Sequence, residues 1–64
     1  MYSAYIENHQ VVVRKGSLSR YAVFGAFSEK PLSANVSGVE LTITFERNRI
    51  RVFNLETKLC VYVM

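Results

Sequence analysis

The chain has 64 residues, half of them hydrophobic, and a formal net charge of +3 at pH 7. This length excludes a second domain. Because so small a chain buries only about 60% of the surface that its unfolded form exposes, we expect part of its apolar surface to stay exposed or to meet a partner. The mildly basic charge permits a polyanionic partner without demanding one, and no apolar run reaches the ~20 residues that a membrane-spanning helix needs.

Residues 2–14 predict an N-terminal β-hairpin. A turn at Asn8 and His9 places Ile6 opposite Val11, so that apolar side chains meet across the two strands. The same register pairs Ala4 with Val13 and Tyr5 with Val12. The next turn is predicted at Lys15 and Gly16, because glycine tolerates the positive φ of a tight turn.

Residues 19–28 admit two interpretations. Their content of Tyr, Val and Phe favours a β-strand, in which Gly25 marks a bulge or the sharp bend of a small barrel. The alternative is a helix over residues 17–30, with Ser17 as its N-cap and Pro31 after its end. We favour the strand because a glycine inside a helix costs about 1 kcal/mol relative to alanine. The apolar residues would also surround the whole helix instead of forming one stripe.

Residues 31–38 are dense in turn-forming residue types and predict a loop. Residues 40–63 then predict a three-stranded antiparallel meander with turns at Arg47-Asn48 and at Glu56-Thr57. In this register apolar side chains meet: Phe45 lies opposite Ile50, Ile43 opposite Val52, Val52 opposite Val61 and Ile50 opposite Val63. No later segment is expected to pair with the last strand, residues 59–64, so an open sheet edge is predicted there unless the N-terminal hairpin closes onto it.

Together these elements predict a mainly β single domain over residues 1–64, either a small barrel or a two-layer sandwich. The alternative is an α+β domain in which a helix over residues 17–30 packs on the sheet. One wall of the predicted core consists of Leu41, Ile43, Phe45, Ile50, Val52, Leu59, Val61 and Val63. The other consists of Ile6, Val11, Val13, Tyr21, Val23 and Phe27.

The sequence supplies few groups for catalysis or ligand coordination. The one histidine, His9, falls in a predicted turn, where a solvated side chain is the simplest interpretation. One cysteine, one histidine and no aspartate cannot form a closed zinc site within one chain. The three glycines are too scattered for a phosphate-binding loop. We therefore expect no enzymatic activity, no metal and no cofactor.

The single cysteine is informative about the cellular compartment of the protein. Cys60 falls between Leu59 and Val61 in the last predicted strand, where we expect a small buried thiol. A lone cysteine cannot form an internal disulfide, which is typical of proteins in a reducing compartment. Together with the absence of a recognisable secretory signal, this predicts a cytoplasmic protein.

The second face of the predicted meander carries the candidate binding residues. The predicted register places Arg49, Arg51, Phe53, Cys60 and Tyr62 on one side beside Thr42 and Thr44, with Arg51 opposite Tyr62 and Arg47 in the adjoining turn. Arginines interleaved with aromatic rings are used by single-stranded nucleic-acid platforms and are also enriched in protein interfaces. An ordinary half-exposed sheet face has the same composition.

These observations predict a small non-enzymatic interaction protein that binds and modulates a protein partner, as an inhibitor or a regulatory subunit does. The predicted partner-binding residues are Arg47, Arg49, Arg51, Phe53 and Tyr62. The alternative is a single-stranded nucleic-acid-binding module that uses the same residues. A homodimer through the open C-terminal edge strand is a further option, and no membrane partner is expected.

Overall fold

A computed structural model describes residues 1–17, 20–25 and 27–64 of the chain. It contains seven strands: β1 (Tyr2–Glu7), β2 (Gln10–Lys15), β3 (Ala22–Phe24), β4 (Ser33–Ser37), β5 (Glu40–Thr44), β6 (Ile50–Asn54) and β7 (Leu59–Val63). The strands form two antiparallel sheets, a three-stranded sheet in the order β1-β2-β3 and a four-stranded sheet in the order β4-β5-β6-β7. The predicted mainly β fold is therefore confirmed, in its two-layer sandwich form.

The N-terminal hairpin forms in the predicted register. Ile6 lies opposite Val11, Ala4 opposite Val13 and Tyr5 opposite Val12. Asn8 and His9 both have positive φ, as a two-residue hairpin turn requires. The alternation of apolar residues in the two strands selects this pairing, and the conformation of the turn residues selects the same one.

The central segment is extended where the structure describes it, and it contains no helix there. Only Ala22–Phe24 form a strand, which pairs with β2, whereas residues 18, 19 and 26 of the predicted segment lie outside the described residues. Gly25 ends the strand with a φ of +144°. A Cβ added at Gly25 would lie 3.0 Å from the Cα of Gln10 and 3.1 Å from the carbonyl oxygen of His9. Glycine is therefore required for the close approach of this bend to β2.

The predicted loop at residues 31–38 is wrong in its second part, because Ser33–Ser37 form strand β4 and pair with β5. The C-terminal meander consequently has four strands instead of three. Turn-forming residue types such as Ser and Asn are tolerated in β4 because it lies at the edge of its sheet, where only one neighbour pairs with it.

The predicted register between β5 and β6 is wrong by one residue. Ile43 lies opposite Arg51, not Val52, and Thr44 lies opposite Ile50. The connection Glu46–Asn48 has three residues, with positive φ at Arg47 and Asn48, and the Phe45 N–H donates to the Arg49 carbonyl oxygen at 2.7 Å. A two-residue turn would pair Phe45 with Ile50, so the additional loop residue shifts all of β6. Because side chains alternate between faces, this shift exchanges the two faces of β6.

The pairing of β6 with β7 begins as predicted and then changes at a bulge. The second turn is centred on Glu56 and Thr57 as predicted, and Phe53 lies opposite Cys60. An irregularity between Val52 and Phe53 then places Tyr62 opposite Val52 and Val63 opposite Arg51. The predicted pairs of Val61 with Val52, of Tyr62 with Arg51 and of Val63 with Ile50 are therefore wrong, since Val61 is the additional residue of the bulge.

The core lies between the two sheets, on what we call the inner face of each. Its buried members are Val11, Val13, Phe24, Leu41, Ile43, Phe45 and Leu55, and Ile6, Tyr21 and Phe27 of the predicted core pack against them. Six predicted core residues do not belong to this cluster. Ile50 and Val52 lie on the outer face of the four-stranded sheet, where Val52 is nevertheless buried, and Leu59, Val61 and Val63 are 60–65% exposed. Val23 is likewise 44% exposed on the outer face of the other sheet.

Candidate functional site

Arg51 lies on the inner face of the four-stranded sheet, where the register brings it opposite Ile43 and Val63. Its guanidinium carbon is 5.5 Å from the centroid of the Phe27 ring and 5.6 Å from that of Phe45. Both distances fall within the range of cation–π attraction, which contributes about 0.5–2 kcal/mol. These rings therefore support the charged group at the margin of the core.

Phe53 is half-buried beside Arg51, in a cluster of aromatic rings. Its ring centroid is 4.7 Å from that of Phe24 and 6.5 Å from that of Phe27, and Phe27 contacts Phe45 edge-to-face at 5.1 Å. Such tilted and edge-to-face pairs are the preferred geometries of aromatic side chains. The cluster joins both sheets, because Phe24 belongs to β3 and Phe53 to β6.

A cleft opens between the end of β3 and strand β6, and we call it the Arg51 cleft. Its volume is about 500 Å³, and its described lining residues are Val23, Phe24, Gly25, Phe27, Ser28, Arg51 and Phe53. The lining includes three phenylalanines, but its exposed surface is more polar than apolar, and the guanidinium of Arg51 and the hydroxyl of Ser28 are its polar side-chain groups.

Two other predicted binding residues, Arg49 and Arg47, do not line this cleft. Arg49 forms an ion pair with Glu29 at 3.2 Å, and both side chains are partly exposed. Exposed ion pairs of this kind contribute at most about 1 kcal/mol. Arg47 lies in the exposed connection between β5 and β6. The positive charge of Arg49 is therefore compensated by the carboxylate of Glu29.

Tyr62 is separated from these arginines by the sheet itself. It lies opposite Val52 on the outer face and is 52% exposed. The prediction that Arg49, Arg51, Phe53, Cys60 and Tyr62 share one face with Thr42 and Thr44 is therefore wrong. Arg51, Phe53 and Cys60 belong to the inner face, and Thr42, Thr44 and Tyr62 to the outer one. Whether the five candidate residues contact a partner stays a prediction.

Strand β7 is the most exposed apolar element of the described chain. Its large apolar side chains are Leu59, Val61, Tyr62 and Val63, which with the following Met64 are 52–65% exposed. Strand β7 ends the order of its sheet, and no strand of the described part of the chain pairs with its outer edge. By contrast, β4 at the other end of the same sheet lies beside β1. The sequence-based prediction of an open apolar edge therefore holds for the described residues.

Cys60 and His9, the two candidate groups for nucleophilic or acid–base chemistry, are both exposed. The prediction of a buried thiol is wrong, because the inner face of β7 extends beyond the region that the other sheet covers. His9 lies in the turn between β1 and β2, as expected. Among the residues that the structure describes, no group of three or more His, Cys, Asp or Glu side chains could hold a metal ion.

A second cluster of rings and cations lies away from the Arg51 cleft and was not predicted from the sequence. Tyr2 and Tyr21 contact edge-to-face at 5.2 Å, Lys15 lies 5.5 Å from each ring, and Lys58 lies 4.7 Å from the Tyr21 ring. Loss of solvation and the Tyr21 side chain raise the pKa of Tyr2, whereas the Lys15 ammonium opposes this effect. The cluster holds the N-terminal strand against the loop after β6.

Comparison with family models, with curated proteins and with solved structures gives no match for this chain. Within residues 1–17, 20–25 and 27–64, no helix is long and apolar enough to cross a membrane. Function is therefore inferred from the surface of this chain alone. Its two distinctive features are the apolar edge strand β7 and the Arg51 cleft.

Proposed function

We propose that this chain is a small non-enzymatic interaction protein that binds a protein partner, and that strand β7 is the main contact. The observation that carries the proposal is an edge strand with five consecutive exposed residues, none of them charged. Natural sheet edges are usually protected by charged side chains, prolines or a covering segment, because unprotected edges pair with other chains. An apolar, unprotected edge strand is therefore suited to pairing with a strand of a protein partner.

Strand addition is the binding mode that this edge supports. In an antiparallel sheet, alternate main-chain N–H and C=O groups of an edge strand point away from its neighbour and are free to bond to an added strand. Exposed side chains on β7 would supply apolar contacts on both faces of the added strand. An inhibitor or a regulatory subunit uses contacts of this type without catalytic groups.

Single-stranded nucleic-acid binding has less structural support. That hypothesis needs arginines and aromatic rings on one continuous surface, so that phosphates and bases are contacted together. Here Tyr62 and Arg51 occupy opposite faces, and Arg49 is paired with Glu29. Protein binding does not depend on that shared surface.

Site-specific photo-crosslinking tests the proposal. A photoreactive phenylalanine replaces Tyr62 in the full chain, and the matched control carries it at Tyr5, which is also exposed on an outer sheet face. We expect a discrete protein adduct from position 62 that survives nuclease treatment and is absent from position 5. Val61→Lys should abolish that adduct, whereas Val23→Lys, a charge on the edge of the other sheet, should leave it unchanged.

The other possible outcomes distinguish between a second copy of the chain, a different contact surface and a nucleic-acid partner. An adduct of twice the mass of the chain identifies the partner as a second copy and retains the strand-pairing mode. Equal crosslinking from both positions, or an adduct that Val61→Lys does not affect, contradicts β7 as the contact. Loss of the adduct on nuclease treatment would favour the nucleic-acid alternative.

A further inference from the structure

Two lysines from different sheets approach one tyrosine ring, away from the Arg51 cleft. Lys15 ends β2, and Lys58 lies in the turn that precedes β7. The Lys15 ammonium nitrogen is 5.5 Å from the centroid of the Tyr21 ring, and that of Lys58 is 4.7 Å from the same centroid. The separation of the two ammonium groups therefore cannot exceed the sum of these distances. That bound is close to the ~10 Å over which charges interact at 0.1 M ionic strength.

The tyrosine ring between the two lysines belongs to the packed part of the fold. Tyr21 is half-buried, and its hydroxyl donates to the carbonyl oxygen of Leu55, so that the ring joins the two sheets. Tyr2 contacts it edge-to-face at 5.2 Å and also lies 5.5 Å from the Lys15 ammonium nitrogen. Both lysine side chains are exposed beside this fixed pair of rings.

Neither ammonium group is paired with a carboxylate in residues 1–17, 20–25 and 27–64. The ion pairs there join Arg20 to Glu7 and Arg49 to Glu29. Glu56 lies in the same turn as Lys58 but forms no ion pair with either lysine. An aromatic ring attracts a cation through its quadrupole but does not cancel its charge. Both positive charges therefore remain available to an anion.

A phosphate monoester matches this pair of cations better than other common anions do. It carries about two negative charges near neutral pH and has three acceptor oxygens. A lysine ammonium is a point charge on a flexible stem, so two lysines can approach different oxygens of one phosphate. A carboxylate has a single charge and a planar geometry that suits the fork of an arginine. A nucleic-acid strand has a single charge on each phosphate and is bound by several cations along its backbone.

We propose that Lys15 and Lys58 form a binding site for a phosphate monoester, carried either by a small metabolite or by a phosphorylated side chain of a protein. Lys58 directly precedes β7, but the site uses no backbone group of that strand. The proposed function of β7 therefore stands or fails independently of this site.

The test is an NMR titration of the ¹⁵N-labelled full chain with methyl phosphate at about pH 8, where the ligand is a dianion. The matched ligand is dimethyl phosphate, a monoanion, and sodium chloride keeps the ionic strength constant. We expect methyl phosphate to shift the amide signals of Lys15, Gly16, Thr57 and Lys58. Dimethyl phosphate should bind about fivefold more weakly, as expected for loss of one exposed charge interaction.

Variants identify the groups responsible. Lys15→Met and Lys58→Met keep most of the stem and should each weaken methyl phosphate binding about fivefold. Lys30→Met, at an exposed lysine elsewhere in the chain, should leave it unchanged. Glu56→Gln should strengthen binding, because it removes a negative charge from the same turn. If a methionine variant does not fold, the corresponding glutamine variant tests the same charge.

Two further ligands identify the source of the phosphate. Glycerol 3-phosphate presents it on a small metabolite, and acetyl-phosphoserine-amide presents it on a peptide. Tighter binding of either one identifies the source, and equal affinity shows that the phosphate group alone is recognised. Each of these results retains the site.

Four outcomes would overturn the proposal. Equal affinity for methyl phosphate and dimethyl phosphate would remove the requirement for a dianion. Unchanged binding in folded Lys15→Met and Lys58→Met variants, or shifts confined to other parts of the chain, would place the anion elsewhere. Tighter binding of a thymidine oligonucleotide than of methyl phosphate at the same signals would make the occupant a nucleic acid instead of a phosphate monoester.

Discussion

The hydroxyl of Tyr21 donates a hydrogen bond of 2.8 Å to the carbonyl oxygen of Leu55. Tyr21 is anchored to the three-stranded sheet, because its N–H donates to the carbonyl oxygen of Val13 at 2.7 Å. Leu55 follows β6 in the other sheet, and its N–H donates to the carbonyl oxygen of Val39 at 2.7 Å. One side-chain hydrogen bond thus joins the two layers at the end of the core away from the Arg51 cleft.

Replacing Tyr21 by phenylalanine removes this hydrogen bond and keeps the ring. We expect Tyr21→Phe to lower the free energy of unfolding by about 1 kcal/mol, the usual net contribution of such a bond. Urea denaturation followed by circular dichroism measures the change. Tyr5→Phe is the control, since Tyr5 is exposed and should change stability by less than about 0.5 kcal/mol. Equal losses in both variants would contradict the role of the hydroxyl.

Leu55 is fully buried, whereas Leu59 is 65% exposed, although both lie near the turn between β6 and β7. We expect Leu55→Ala to cost about 2–5 kcal/mol, because a cavity remains where the side chain packed. Leu59→Ala should cost less than about 0.5 kcal/mol. Thermal and urea unfolding of both variants test this difference. A larger loss of stability in Leu59→Ala than in Leu55→Ala would show that Leu59 packs in the core.

Gly25 and Gly16 both have positive φ but differ in their surroundings. A Cβ at Gly16 would meet open space, whereas one at Gly25 would approach the backbone of Gln10 and His9. We expect Gly16→Ala to cost about 1–2 kcal/mol from the left-handed conformation alone. Gly25→Ala should cost about 3 kcal/mol or more, because overpacking adds to it. Comparable unfolding midpoints would show that the bend after β3 can relax.

The raised pKa of Tyr2 predicts a loss of stability at alkaline pH. In the unfolded chain a tyrosine releases its proton near pH 10, whereas in the folded chain Tyr2 holds it to higher pH. Above about pH 10 the folded state therefore binds more protons than the unfolded state, and the free energy of unfolding falls as the pH rises. Denaturation between about pH 8 and pH 11 should show this decline, and Tyr2→Phe should reduce it. A decline of the same size in the variant would assign it to other groups.

The sequence alone was sufficient for the β class and for the complete register of the N-terminal hairpin. There the turn is short and the apolar residues alternate in both strands, so that Ile6 and Val11 can meet in only one way. The turn centred on Glu56 and Thr57 also follows from local signals. These features depend on residues close together in the chain.

Only the tertiary structure decided which face of β6 turns toward the other sheet. Ile50 and Val52 alternate with Arg51 and Phe53, and since both sets contain large apolar groups, the pattern fits either face. The three-residue connection after β5 selects one register, and the rings of Phe45 and of Phe27, which is distant in sequence, lie beside the Arg51 guanidinium. A ring from another part of the chain favours an arginine at the margin of the core, and alternation within a strand carries no information about that distant residue.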